Sequence, residues 1–493
     1  MKLITEGDIN QYYLQTLCML FFPRAKFSNT EKLGPDTPVA IVKVTSDETT
    51  AYAEASLALG SRSVLKYHSE NYRPDEPAQN TRSIAASKAF FFAATEFCGY
   101  NPPWGLLTGV RPTKLAFDRI NAGMTKDQTV KSLRADYLMY PKKAILATDI
   151  ARTEAKIIKN YTDKDCSVYI SIPFCPSRCA YCSFISYATK KFLSLIPDYL
   201  EAMKKEMRLL SAMIKDLGMN VVTVYVGGGT PSTLDEKQLG SLLSCIDECF
   251  DTASLHEYTF EAGRADTITA EKLALCKEHN VTRVSVNPQS LCDEVLKNVG
   301  RLHTTKQFYQ AYELAVKSGI PHINTDLIIG LPGDTFKTYS DTIEKITELS
   351  PDNITAHTFA MKKSSALTVS CENVVTEDNS ELVKCVDYTQ IVTKNAGYYP
   401  YYMYRQKNSA GNLENVGFCK KGAEGIYNIL MMEEVHTIFA VGAGAVTKLT
   451  GQSGKRIERV FNPKYPYEYL AQDREAEHQK LEEKAREFFK ITE

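Results

Sequence analysis

The sequence predicts an α/β protein built on a partial (β/α)6 barrel, with an N-terminal α/β domain and a C-terminal α+β domain. From about residue 167 to 360, short β-branched runs alternate with longer amphipathic stretches, the signature of βα units forming a parallel sheet. Six such units can be counted, too few for an eightfold barrel. The length of 493 residues suggests about three domains, and the pattern divides them at 1–160, 161–370 and 371–493.

The six strands fall at 168–172, 221–226, 257–262, 282–286, 322–329 and 353–360. Between the first two, Tyr199, Met203, Met207, Leu210, Ile214 and Leu217 recur every three or four residues, giving one helix an apolar face that can cover the sheet. Further helices are predicted at 236–250, 270–278, 305–317 and 336–348, with Thr269, Thr304 and Thr335 placed as caps. A six-unit barrel is open on one side, and residues after about 370 are the candidate to cover that opening. The N-terminal region shows a strand near 39–44 and helices around 83–97 and 142–161. Segment 101–112, which holds the single tryptophan, Trp104, reads as a packed connector between domains.

Composition narrows the class of function. Basic and acidic residues nearly cancel, 58 against 59, so no net field draws nucleic acid or an anionic membrane. The N-terminus lacks the charge order of a signal peptide, and no apolar run is long enough to span a bilayer. A cytoplasmic location is expected, and the 13 cysteines are then reduced thiols.

Three of those cysteines carry chemistry. Cys175, Cys179 and Cys182 lie in the loop after the first barrel strand, where parallel barrels gather their ligands. Three thiolates can bind three irons of a [4Fe-4S] cubane and leave the fourth open. S-adenosylmethionine can chelate that open iron and be cleaved by an electron from the cluster. A structural zinc site, the competing reading, normally closes with four ligands. No fourth is evident, since Cys166 falls at the other end of the strand and no histidine occurs between Cys182 and His256. Cys245 and Cys249, one helical turn apart, read as small hydrophobes. A second cluster from Cys371, Cys385 and Cys419 has no support from spacing.

Other strand ends add polar groups. Gly227-Gly228-Gly229-Thr230-Pro231 follows the second strand, and its bare backbone can approach the methionine moiety. Glu261 ends the third strand and can accept from ribose or methionine groups, Gln289 and Arg301 follow the fourth, and Asp326 lies in the fifth. A solvated rim, or a buried salt bridge between Arg301 and Asp326, explains these residues equally well. Gly330-Leu331-Pro332-Gly333 and Gly442-Ala443-Gly444 read as turns.

Taken together, residues 165–470 resemble the oxygen-independent coproporphyrinogen III oxidase family of the radical S-adenosylmethionine superfamily. The likeness rests on Tyr169 to Cys175, the Gly-Gly-Gly-Thr-Pro loop, Glu261, Gln289, Gly300-Arg301, Asp326 to Gly333 and a glycine-rich run ending at Val446. The C-terminal tyrosine-rich stretch 397–408 is similar to the long coproporphyrinogen dehydrogenase branch, which has an extra N-terminal domain.

The resemblance implies that Tyr169, Gly228 and Glu261 contact the cluster-bound S-adenosylmethionine, with Gly229 and Thr230 adjoining and Val446 closing the site. It also implies that Tyr181, Gln289, Arg301, Asp326 and Ala360 surround a second S-adenosylmethionine. The implied reaction decarboxylates two propionates of coproporphyrinogen III to vinyl groups, so a tetrapyrrole substrate, an electron donor and an electron acceptor are expected partners. Arg405 or Lys407 could pair the propionates, and the tyrosines could stack on the macrocycle or pack against the barrel.

Three positions depart from the family pattern. Ser183-Phe184 follows Cys182 where the best-known branch has another cysteine, Ser171 replaces a histidine, and Glu261-Ala262-Gly263-Arg264 replaces Glu-x-Asn-Pro. Heme-delivering relatives share the first departure, which keeps a heme chaperone, or a radical enzyme that methylates or opens heme, as competing readings.

Overall fold

A computed structural model of the chain describes residues 1–23, 25–27, 36–74, 77–109, 111–182, 187–360, 380–406, 409–452 and 454–490. They form two compact units, Met1–Asp149 and Ile150–Glu493. In the first, β1 (Lys2–Glu6) runs parallel to β2 (Val39–Ser46), and β3 (Thr50–Leu59) and β4 (Arg62–Asn71) follow antiparallel. Period-two alternation sends Ala51, Ala53, Ala55 and Leu57 of β3 inward. These small residues admit the helix Ala78–Cys98, which buries Ala85, Ala86, Ala89 and Phe90, and the helix Gln11–Phe21 joins the same core. Within the segment that holds Trp104, Leu106 belongs to the core of this unit, and its amide donates to the Tyr137 carbonyl at 2.8 Å.

The second unit is built on one sheet of eleven strands. Its middle is six parallel strands, β5 (Asp165–Ile172), β6 (Asn220–Gly228), β7 (Glu257–Phe260), β8 (Arg283–Ser285), β9 (His322–Ile329) and β10 (Asn353–Thr358). Each succeeds the last in sheet order. The helix Ile196–Asp216 buries Tyr199, Met203, Met207, Leu210 and Ile214, as the spacing predicts. Helices Ala270–Glu278, Thr305–Lys317 and Phe336–Leu349 begin at Thr269, Thr304 and Thr335, whose side chains accept a backbone amide. Each such cap contributes about 1 kcal/mol.

Residues after 380 extend this sheet at both edges. On one side β11 (Tyr399–Arg405) and β12 (Glu414–Cys419) add antiparallel strands beyond β10. On the other, β13 (Thr437–Val441) lies parallel to β5, followed antiparallel by β14 (Val446–Gly451) and β15 (Arg456–Phe461). The two end strands, β11 and β15, are not paired with each other, so the described barrel is open.

At the N-terminal ends of the parallel strands a buried network fills the interior. Arg283 donates to Glu257 at 3.3 Å, to Asn353, and to the carbonyls of Ala423 and Glu424 at 3.1 and 3.2 Å. Glu257 accepts from the amides of Ile426 and Tyr427 at 2.8 and 3.2 Å, anchoring the helix Ile426–Glu433 there. Ligands are left the C-terminal ends. Among the described residues no helix is long and apolar enough to cross a membrane.

Candidate functional site

β5 ends at Ile172, and the chain turns through Pro173 into the cysteine loop. The loop is pinned by its backbone: Cys175 N donates to Tyr187 O at 3.1 Å, Ala180 N to Val299 O at 2.9 Å and Cys182 N to Cys179 O at 3.1 Å. Cys175 and Cys179 are buried and Cys182 is half-buried. Ser183 and Phe184 lie outside the described residues.

The glycine loop after β6 is stitched onto the cysteine loop. Gly229 N donates to Ile172 O, and Thr230 N to Phe174 O, both at 2.7 Å, while Thr230 Oγ1 stands 3.3 Å from Cys175 Sγ. A Cβ on Gly229 would sit 2.5 Å from the Phe174 carbonyl oxygen, and Gly228 has φ +107°. These glycines are therefore needed for loop-on-loop packing, before any ligand is considered.

Inside the strand ends, Tyr169, Tyr225 and Tyr427 form a stack, with the Tyr225 and Tyr427 rings 4.5 Å apart. Tyr225 donates its hydroxyl to Glu261, just past β7. Burial, and then the nearby Asp326 carboxylate, push Glu261 up to about 7. Burial also opposes ionisation of Asp326, but hydrogen bonding and charge from His357 outweigh it and hold this carboxyl below its ordinary value. Asp326 accepts from Asn287 and Asn324 at 3.0 and 2.9 Å, and His357 Nε2 lies 3.7 Å away. The other ring nitrogen of His357 is 3.1 Å from the Tyr404 hydroxyl. Two neighbouring carboxyls are thus pushed apart in acidity, an arrangement suited to separate tasks.

The Arg301–Asp326 salt bridge does not form. Arg301 donates instead to Tyr181 OH at 2.9 Å, to Gly263 O at 2.7 Å, to Asn287 O and to His303 at 3.2 Å, tying three loops together. Gln289 adopts φ +68°, bridges to Leu327, and buries an Oε1 with no hydrogen-bond partner among the described residues. Ala360 bridges Ser409 just beyond β10. Val446 opens β14 at the same end of the sheet, after the turn Gly442-Ala443-Gly444. Ser171 Oγ donates to Ala443 O at 2.9 Å and Glu206 accepts from Gly442 N at 2.9 Å, fixing that turn beside β5.

Of the tyrosine-rich strand, Tyr398 bonds Pro351 O at 2.6 Å, Tyr399 bonds Glu424, and Tyr401 and Tyr402 are buried in a side cluster. Tyr404 alone in that strand reaches His357. Arg405 is buried and donates to Asn412 O at 3.1 Å. Lys407 and Cys371 lie outside the described residues.

Several groups here were not singled out from sequence as site residues. Tyr225 shares the inward alternation of Gly227, and His357 that of Thr355, which pairs Asp326. Tyr427 enters from a distant helix, with no local signal.

A model of the Radical SAM superfamily matches residues 169–346. The oxygen-independent coproporphyrinogen-III oxidase-like protein HemZ of Bacillus subtilis (strain 168) is 35% identical over 462 residues, 92% of each chain. The chain belongs to this radical SAM family. The heme chaperone HemW of the same organism is 34% identical over 197 residues, 40% of this chain and 51% of its own. Among solved structures, coproporphyrinogen III oxidase (HemN) from Escherichia coli, a radical SAM enzyme, superposes with a TM-score of 0.51 at 20% identity, over 66% of this chain and 73% of that one, a likeness of fold.

The family's cofactors are a [4Fe-4S] cluster and S-adenosylmethionine, and the residues fit both. Among the described residues no three His, Cys, Asp or Glu side chains converge on a single ion. A cubane asks for a different arrangement, one thiolate per iron, and the single loop of Cys175, Cys179 and Cys182 has that character. The orphaned Gln289 Oε1 fits a ligand that donates a hydrogen bond: leaving it unpaired costs about 1–3 kcal/mol, and a left-handed non-glycine residue a similar amount.

Proposed function

We propose that the protein decarboxylates two propionates of coproporphyrinogen III to the vinyl groups of protoporphyrinogen IX without oxygen. The observation that carries this reading is the match to the coproporphyrinogen-III oxidase-like relative over 92% of both chains. Cys175, Cys179 and Cys182 each hold one iron. When bound, the cluster and S-adenosylmethionine would supply the radical chemistry that removes a propionate β-hydrogen, and loss of carbon dioxide to give the vinyl group would also require an external acceptor for one electron.

The chain's own residues position the reactants. The cysteine loop, held by Thr230 and Gly229, fixes the radical source relative to the strand ends. Glu261, with Gly228 and Tyr169 beside it, accepts hydrogen bonds from the S-adenosylmethionine, and Val446 closes that site. Tyr181, Gln289, Arg301, Asp326 and Ala360 frame a second ligand position, in which Gln289 Oε1 gains its missing donor. The stack of half-buried Tyr169 and Tyr225 on buried Tyr427 lines the strand ends beside Glu261.

The experiment is anaerobic reconstitution with iron and sulfide, then incubation with reductant, S-adenosylmethionine and coproporphyrinogen III, with products read by mass. Loss of two carbon dioxides per macrocycle is expected. Cofactor cleavage without a vinyl product would overturn the reading. Stoichiometric, transferable heme without turnover would replace it with a heme chaperone, the name carried by relatives that align to the barrel.

A further inference from the structure

Arg264 is buried to 3% side-chain exposure directly beside the cysteine loop. Its Nη1 donates to Ser177 Oγ at 2.9 Å and Ser177 O at 3.3 Å, and reaches Cys179 Sγ at 3.7 Å. Its other edge is occupied: Nε and Nη2 donate to the two oxygens of Asp266 at 3.0 and 2.8 Å. The carboxylate therefore lies behind the guanidinium as seen from the sulfur. A cation with its counter-charge on the far side leaves a net positive potential at the near side, and low dielectric strengthens it.

We propose that Arg264 sets the reduction potential of the iron–sulfur cluster. This rests on the reading of Cys175, Cys179 and Cys182 as its ligands. An N–H···S hydrogen bond withdraws electron density from a ligating thiolate, and a nearby positive charge stabilises the cluster after it accepts an electron. Both effects raise the potential and ease reduction by a weak donor. Asp266 moderates the effect by partly neutralising the guanidinium while holding Nη1 in place. Arg264 is thus a positioning and tuning residue that acts through the thiolate, with no contact to substrate required.

The test is an EPR-monitored redox titration of the reconstituted full-length protein, without substrate, for the wild type, R264Q and D266N. R264Q removes the charge, and its midpoint is expected to move to more negative potential. D266N removes the compensating carboxylate, and its midpoint is expected to move the opposite way. A role limited to holding the loop predicts altered cluster content at unchanged potential. Unchanged midpoints in both variants, or shifts of the same sign, would overturn the proposal. If R264Q fails to assemble a cluster, D266N decides alone: a positive shift supports the proposal, and no shift or a negative one defeats it. Iron and sulfide analysis of the wild type keeps the two ideas separate. A wild type without four irons and four sulfides per chain defeats the ligand reading itself.

Discussion

Glu261 and Asp326 are two neighbouring carboxyls, and their difference is electrostatic rather than chemical. The Glu261 pKa is raised to about 7, above its ordinary carboxylate value. Its contribution to the ligand-free protein is therefore fully present below pH 4.5 and is lost as pH climbs through about 7. Glu261→Gln should flatten that fall, which denaturant midpoints at pH 5 and pH 8 will measure; equal slopes in the two proteins would show that another group is responsible. Residues of this kind were legible in the sequence because strand-end position alone singles them out. Arg264 was legible only as a departure from a pattern, since its contact with Cys179 spans two loops 85 residues apart. Arg301 was legible in place but not in partner. Its guanidinium finds carbonyl oxygens and Tyr181 closer to hand than Asp326, which His357 and two asparagines already satisfy.

At the level of elements, the strands and caps of the barrel follow from local sequence. Thr269, Thr304 and Thr335 begin helices because a threonine oxygen before an amphipathic run satisfies an amide that the helix cannot. β8 is shorter than the pattern 282–286 because Asn287 gives its side chain to Asp326 and Gln289 turns left-handed, contacts that no window of local sequence contains. The glycine loop is the element most exposed to a single change. Gly229→Ala places a methyl 2.5 Å from the Phe174 carbonyl oxygen, against backbone rather than a movable side chain. A loss of roughly 1–3 kcal/mol in stability is expected, together with fewer irons retained per chain after reconstitution. Wild-type melting temperature and iron content in this variant would show that the loops separate without strain.

For the molecule as a whole, the eleven-stranded sheet makes the cysteine-bearing strand an interior one. Residues beyond 370 were expected to cover an opening, and hydropathy could not reveal that one of their strands, β13, would dock parallel to β5, because pairing partners are set by topology. A chain ending at residue 433 should leave the β5 edge, from Cys166 to Ile170, without its neighbour. Such a bare, largely apolar edge invites intermolecular pairing, so size-exclusion chromatography should show aggregates; a monodisperse monomer would contradict the role given to β13. The same pairing has a consequence during synthesis. Ser167 and His436 meet across 269 residues of sequence, and at about 5–20 residues per second a ribosome needs roughly 15–50 s to deliver the second after the first. Throughout that interval Cys175, Cys179 and Cys182 ride on a nascent chain whose sheet is incomplete.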